Sequence, residues 1–246
     1  MTEWFENESF WREMYAHMFP DERFEKAQEE IEGVYGLVGF EGKTALDLCC
    51  GPGRHAIAMA KRGVKVTAVD RTRFLLDKAR ERAQAAQVDV EWVLSDMREF
   101  ARPVAFDLAI SMFTSFGYFE DRQDNLRVLR NVYQSLRPGG ACLIEVAGKE
   151  RLAKQFQPTL STPVPGGGLL VQRQKILDDW ERISSEWILI ENGAAKSFTV
   201  EVAVYSGQEL KALLLEAGFA EVHLYGDLNG AEYGLEATRL VAVGRK

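Results

Sequence analysis

Thr44-Ala45-Leu46-Asp47-Leu48-Cys49-Cys50-Gly51-Pro52-Gly53-Arg54-His55-Ala56 is the stretch that decides the fold. A short apolar run breaks at a glycine-rich turn, and helical spacing then takes over until Gly63 stops it. The next apolar run, Val64 to Asp70, reads as a second strand, so the three pieces make a βαβ unit. Gly51 and Gly53 admit positive φ and let a ligand approach the backbone with no Cβ in the way. The helix N-terminus beyond them favours a negative ligand group. Asp70 ends the second strand, and in a doubly wound sheet that place faces a ribose bound at the glycine turn.

The alternation continues outward from this unit. A helix carrying Leu75, Leu76, Ala79 and Ala83 leads to a strand at 90–96 and another at 106–111. A helix with Leu126, Leu129, Val132 and Leu136 then precedes a strand at 141–146. Repeated strand–helix alternation requires right-handed crossovers and a parallel sheet covered on both faces. Before the first strand, Trp4, Trp11, Tyr15 and Met18, then Phe24, Ala27, Ile31, Val34 and Val38, recur at the spacing of two amphipathic helices. After residue 150 the pattern changes. Pro158, Pro163, Pro165 and Gly166 to Gly168 lead into strand-like runs at 169–177, 180–190 and 196–205, with hairpin turns at Asp178-Asp179 and Asn192-Gly193. Ser206 and Glu209 form the capping box of a helix that stops at Gly218, and two runs at 221–225 and 238–244 close the chain as a hairpin.

The expected architecture is therefore α/β: a doubly wound, mostly parallel seven-stranded sheet with an antiparallel last strand, plus an inserted antiparallel meander. One domain over 1–246 is expected, with N-terminal helices at 1–40, the βαβ core at 41–150, the meander at 151–205 and the closing helix and hairpin at 206–246. A net charge of -7 gives no global positive field for a polyanion, which disfavours a nucleic-acid partner. The start is acidic where a signal peptide would be basic, and no apolar run reaches the roughly 18 residues of a membrane span. Cytoplasmic residence without membrane attachment is the expectation. Cys49, Cys50 and Cys142 lack the paired spacing of a zinc site or a disulfide framework, so no metal is expected.

Gly51-x-Gly53-x-x-Ala56 with Asp70 also satisfies the dinucleotide-binding fingerprint, so the turn alone leaves an NAD(P)-dependent oxidoreductase open. The rest of the chain resembles the class I S-adenosylmethionine-dependent methyltransferase family, closely over residues 40 to 150 and more loosely at the end. That family has an acid two positions before a glycine-rich turn, matched by Asp47, Gly51, Pro52 and Gly53, with Cys49 standing at its usual first glycine. The resemblance assigns Asp70, with Arg71 beside it, to the ribose, and Ser95, Asp96 and Met97 to the adenine. Phe106 to Ser111 resembles the family's fourth-strand motif beside the transferred methyl, with Ser111 at its end. Leu136-Arg137-Pro138-Gly139-Gly140 looks like the turn before the fifth strand, and Glu216 to Phe219 like the closing helix end. The resemblance implies S-adenosyl-L-methionine as cofactor and methyl transfer to a small-molecule acceptor.

Each acid also has a plainer reading as a cap or a solvated strand end. The oxidoreductase reading leaves Asp47, Ser95 to Met97 and the closing hairpin unexplained. A non-catalytic cofactor-binding protein on the same fold stays open, and an open cavity beside Ser111 and Tyr118 is what would distinguish an enzyme from it. Catalytic candidates are few: Tyr118, with a polar tip among Phe113, Phe116 and Phe119, and His55 after the glycine turn. The aromatic N-terminal helix reads either as a lid or as core packing. Arg173, Lys175 and Arg182 read either as a positive wall for an anionic acceptor or as a solvated strand face, and the meander as a possible homodimer surface.

Overall fold

In the computed structural model, residues 3–164 and 167–246 are described; Pro165 and Gly166 of the Pro/Gly-rich stretch lie outside them. A single 3-10 turn at Trp4–Glu6 leads to α1 (Glu8–Met18), whose start is capped by the Asn7 side chain accepting the Ser9 backbone N–H. Pro20 begins α2 (Asp21–Val38), which ends on Gly39 at φ 54°. The βαβ core follows as β1 (Thr44–Leu48), α3 (Arg54–Lys61), β2 (Lys65–Asp70), α4 (Arg73–Ala85), β3 (Glu91–Leu94), β4 (Phe106–Ser111), α5 (Arg122–Ser135) and β5 (Leu136–Val146).

The following segment comprises α6 (Lys149–Gln155), β6 (Thr159–Val164), β7 (Gly168–Leu177), β8 (Arg182–Glu191) and β9 (Ala194–Ala203). The chain closes with α7 (Gly207–Ala217), β10 (Glu221–Tyr225) and β11 (Leu240–Arg245). The Ser206–Glu209 capping box is present in both directions, and Gly218 ends α7 at φ 113°.

The main sheet has the order β10-β11-β5-β4-β1-β2-β3. All pairings are parallel except those of β11, which runs antiparallel to both β5 and β10. Alternation along the strands divides the core between two faces. Leu46 and Leu48 of β1 join the cluster that holds Leu126 and Leu129 of α5 and Leu210 and Leu214 of α7. Ala45 joins the cluster holding Ile31 and Val34 of α2 and Met59 of α3. Strand order reverses at β1, since β2 and β3 extend one way and β4 and β5 the other, so the crevice at the carboxyl ends of β1 and β4 is the topological switch point. At β5 the register with β4 jumps from the Phe106–Leu136 pair to the Leu108–Ala141 pair, so Arg137 to Gly140 bulge out with Gly139 at φ 79°.

The meander differs from expectation in one element. It is a four-stranded sheet, β6-β7-β8-β9, and its extra strand, Thr159–Val164, contains Pro163 and lies in the segment read from sequence as connection. Proline is tolerated there because β6 is an edge strand. The sheet's last strand is fastened to the β4–α5 loop by the Ala203 N–H donating to the Gly117 carbonyl at 2.7 Å. Gly117 allows this approach, because a Cβ would stand 2.9 Å from the Ala203 carbonyl oxygen. The inner face of this second sheet thereby hangs over the switch-point crevice.

Candidate active site

A cavity of about 540 Å³ opens at the switch point. Its floor is the carboxyl ends of β1, β2 and β4, its near wall is the N-terminal segment and its far wall is the inner face of the small sheet. At the floor, the glycine turn requires three left-handed residues: Cys49 at φ 60°, Gly51 at 54° and Gly53 at 80°. Gly53 is also sterically required, since a Cβ there would lie 2.6 Å from the Trp92 ring. Cys49 adopts this backbone conformation despite its Cβ, and its Sγ packs 3.4 Å from Met97 Sδ.

Asp47 is 2% exposed and lines the cavity. Burial pushes its carboxyl up to about 7, against the opposing Ala56 backbone N–H and the Arg54 charge, and its Oδ2 has no hydrogen-bond partner. Asp70 is more engaged than sequence suggests. Its Oδ2 accepts the Gly51 N–H at 2.9 Å and its Oδ1 the Thr72 N–H at 2.8 Å, so one carboxylate clamps the glycine turn to the start of α4. Burial still raises its titration above the ordinary carboxylate range.

Asp96 accepts from the Arg98 backbone and side chain (2.8 Å to N and to Nη2), and Arg71 Nη1 lies 3.7 Å away. It titrates below the ordinary range because these bonds and charges outweigh its desolvation. The Asp96 carbonyl also accepts the Glu99 and Phe100 N–H groups, so the plain capping reading holds beside any ligand role. Arg71 ties the N-terminal turn down through Glu6 at 2.7 Å and lies over the Phe5 ring. Ser95, Met97 and Cys49 line the same cavity, whereas the buried Ser111 Oγ lacks a partner and stands just behind it at the end of β4.

The two catalytic candidates occupy different settings. Tyr118 is partly buried, stacks on Phe5 and lies 4.7 Å from the Trp4 ring, and burial drives its phenol far above its usual range. Its hydroxyl therefore keeps its proton and acts as a donor. His55 faces α2, with Nε2 2.9 Å from Glu30 Oε2, and burial lowers it to about 4, so the ring is neutral at pH 7 and directs Nε2–H at the carboxylate. Of the neighbouring phenylalanines, Phe116 is core, while Phe119 is buried against the cavity and Phe113 lines it under the guanidinium groups of Arg23 and Arg54.

The walls settle two ambiguities. The N-terminal segment is both core and cover: Phe5, Phe10 and Trp11 are buried and line the cavity, and Trp4 Nε1 donates to the Glu201 carbonyl of β9 at 2.7 Å. The charged residues of the meander do not form a positive wall. Arg173 and Lys175 are exposed on the outer face, Arg173 lies 3.6 Å from Glu186, and Arg182 lies 3.5 Å from Glu201. Their neighbours of opposite parity, Gln172, Gln174, Ile183, Ser185, Trp187, Val200 and Val202, face the cavity instead. Sequence reasoning also passed over Glu30, Glu145 and Arg239, which meet Arg54 and His55 at one corner. Glu145 and Arg239 did carry a signal, as charged residues at the ends of wholly apolar strands.

The methyltransferase domain family matches residues 45–140. The cypemycin N-terminal methyltransferase of Streptomyces is 32% identical over 105 residues, 43% of this chain and 42% of that protein. The ubiquinone biosynthesis O-methyltransferase of Coxiella burnetii is 30% identical over 104 residues, 42% of this chain and 43% of that protein. The chain thus spans less than half the length of either curated relative. Among solved structures, an S-adenosylmethionine-dependent methyltransferase from Clostridium acetobutylicum shares the fold with a TM-score of 0.79 at 14% identity, covering 95% of this chain and 98% of that one. With the glycine turn, the acids at successive strand ends and the reversed last strand in one register, the chain has the fold of that methyltransferase and is similar in sequence to methyltransferases over its core.

Proposed function

We propose that this protein transfers a methyl group from S-adenosylmethionine to a small-molecule acceptor enclosed between its two sheets. The observation that carries the reading is the continuity of the cavity, from Asp70 and Asp96 at the strand ends to Gln172, Ser185 and Val202 on the second sheet. Its volume of about 540 Å³ is in the range of small-molecule sites, and the second sheet supplies a wall that the cofactor-binding strand ends do not need. A filled space beside Tyr118 would have favoured a non-catalytic binder. The two curated relatives are named for different reactions, one as an N-terminal methyltransferase and the other as an O-methyltransferase of ubiquinone biosynthesis, although both match over less than half of the chain. This supports acceptor choice residing outside the core.

The residues at the switch point fit the cofactor. Asp47 Oδ2 is a buried, unpartnered acceptor suited to an ammonium group, and the glycine turn leaves the backbone open beside it. When bound, S-adenosylmethionine supplies a methyl on a sulfonium, already activated for in-line attack. Asp47 would hold the ammonium, Asp70 has lone pairs left that would take ribose hydroxyls, and Met97 would line the adenine side. Trp4, Phe5, Phe10 and Tyr118 exclude water and hold the partners in near-attack geometry, which is worth about 7–11 kcal/mol at best. The Tyr118 hydroxyl, kept protonated by burial, can donate a hydrogen bond and does not serve as a general base. Calorimetric titration with S-adenosylhomocysteine and with NAD tests the reading, followed by screening metabolite pools for release of S-adenosylhomocysteine. Binding of NAD without binding of either sulfur cofactor would overturn it.

A further inference from the structure

The strand register of the second sheet groups its inward side chains by chemistry. Gln174 of β7 stands opposite Ser185 of β8, and Gln172 stands opposite Trp187. On the other side of β8, Ser185 pairs with Val200 and Ile183 with Val202 of β9. All of them line the cavity. Gln172, Gln174 and Ser185 therefore form one polar patch, bordered by an indole and by branched apolar side chains. Ser185 is only 8% exposed, and its Oγ has no hydrogen-bond partner although Gln174 is its cross-strand neighbour. A buried hydroxyl left without a partner costs free energy until a bound molecule meets it.

None of the side chains that the second sheet turns to the cavity ionises, and Trp4, Phe5, Phe10 and Trp11 on the opposing wall add no charge. The cavity's charged groups sit on the main-sheet side, from Asp47 and Arg54 at the glycine turn to Glu145 and Arg239. Arg151 of α6 also lines the cavity but is exposed, so water solvates its charge. An ammonium or carboxylate carried between the second sheet and the N-terminal wall would lose its hydration and gain no counter-ion. A hydroxyl, carbonyl or amide there exchanges water for Ser185 and for two glutamine amides, which both donate and accept.

We propose that the part of the cavity beneath the second sheet takes an uncharged part of the acceptor: an apolar body against Trp187, Val200 and Val202, with a hydroxyl, carbonyl or amide at Gln172, Gln174 and Ser185. This assignment rests on the methyl-transfer reading and adds to it the chemistry of the acceptor, which the second sheet sorts by charge.

The test uses the full chain and three probes that share one ring system: 2-naphthalenemethanol, 2-naphthoate and 2-naphthylmethylammonium. Each is titrated at neutral pH into nitrogen-15-labelled protein saturated with S-adenosylhomocysteine, and the Trp187 indole and Gln174 side-chain amide resonances report occupancy. The alcohol shifts both resonances, and the two ions bind at least about ten-fold more weakly. Ser185→Ala and Gln174→Leu, made singly and checked by thermal melting, each weaken the alcohol by about five- to ten-fold and leave S-adenosylhomocysteine affinity unchanged. Arg173→Ala, on the outer face, changes neither. Either ion binding as tightly as the alcohol while shifting the same resonances overturns the assignment. So does an alcohol that leaves both resonances unmoved, or one that binds the folded Ser185→Ala and Gln174→Leu proteins with wild-type affinity. If S-adenosylhomocysteine does not bind, the methyl-transfer reading fails, and the same titrations of the free protein still decide the charge preference of the second sheet.

Discussion

Asp47 and Asp70 are both buried acids at strand ends, yet their hydrogen bonds give them different energetics. Asp47 leaves one oxygen unpartnered, and its titration is raised from 3.8 to about 7 by burial. A raised carboxyl binds its proton more tightly in the folded state, so its contribution to stability is complete below the ordinary value and declines as pH rises through about 7. An ammonium ligand selects the ionised form. Affinity for S-adenosylhomocysteine should therefore rise with pH up to about 7, with proton release measurable as buffer-dependent heat, and Asp47→Asn should remove both effects. A pH-independent affinity in the wild type would refute the ammonium role. Asp70, by contrast, holds the Gly51 and Thr72 N–H groups. Asp70→Ala should weaken cofactor binding by about 1.5–3 kcal/mol and also lower the unfolding free energy by about 1–3 kcal/mol, since it strands two buried donors. Denaturant melts beside calorimetry separate these losses, and an unchanged Kd in the folded variant would count against ribose binding. Sequence pointed to these acids because a carboxylate closing an apolar run is conspicuous. It did not reveal that Asp70 clamps the glycine turn, because that depends on how the Gly51 backbone is aimed.

Among the elements, the glycine turn is the least tolerant. Gly53 combines φ 80° with a would-be Cβ at 2.6 Å from the Trp92 ring and 3.0 Å from Ala79 Cβ. Gly53→Ala should cost about 1–3 kcal/mol in stability and displace the turn, so melting temperature and cofactor affinity should fall together. A variant with wild-type melting would show that Trp92 gives way. The strands and helices of the core were legible because their periods differ: runs of period 2 or wholly apolar runs for strands, 3.6 for helices, with Gly63 and Gly218 as stops. Where that contrast fades, reading failed. The edge strand β6, Thr159–Val164, is largely exposed and contains Pro163, so it shows neither alternation nor strand propensity, and its partner β7 specifies it. The helix α6 is seven residues long with no buried side chain, too short for a periodic signal.

At the scale of the molecule, the main sheet presents the acids at its strand ends and the second sheet closes the space above them, joined by the Gly117–Ala203 bond and by Trp4 reaching β9. Which side of the second sheet faces inward was not readable from sequence, because both parities of β7 mix apolar and polar residues: Leu170, Gln172, Gln174 and Ile176 against Leu169, Val171, Arg173 and Lys175. Parity therefore gave no preference for burial, and only packing against the N-terminal segment and the β4–α5 loop decides it. The consequence is a contrast between neighbouring residues. Gln174 and Ser185 face the cavity, and the Ser185 Oγ is buried without a partner, whereas Arg173 is exposed beside Glu186. Ser185→Ala and Gln174→Leu should change KM for the acceptor by about five- to ten-fold, the effect of one neutral hydrogen bond, while cofactor Kd stays constant because the strand ends are untouched. Arg173→Ala should change neither, since an exposed pair is worth about 0–1 kcal/mol and lies outside the cavity. Steady-state kinetics with an identified acceptor, run beside S-adenosylhomocysteine titration for all three variants, checks the pattern. Acceptor kinetics that respond to Arg173 and ignore Ser185 and Gln174 would mean that the acceptor approaches from the outer face, and the enclosed cavity would then belong to the cofactor alone.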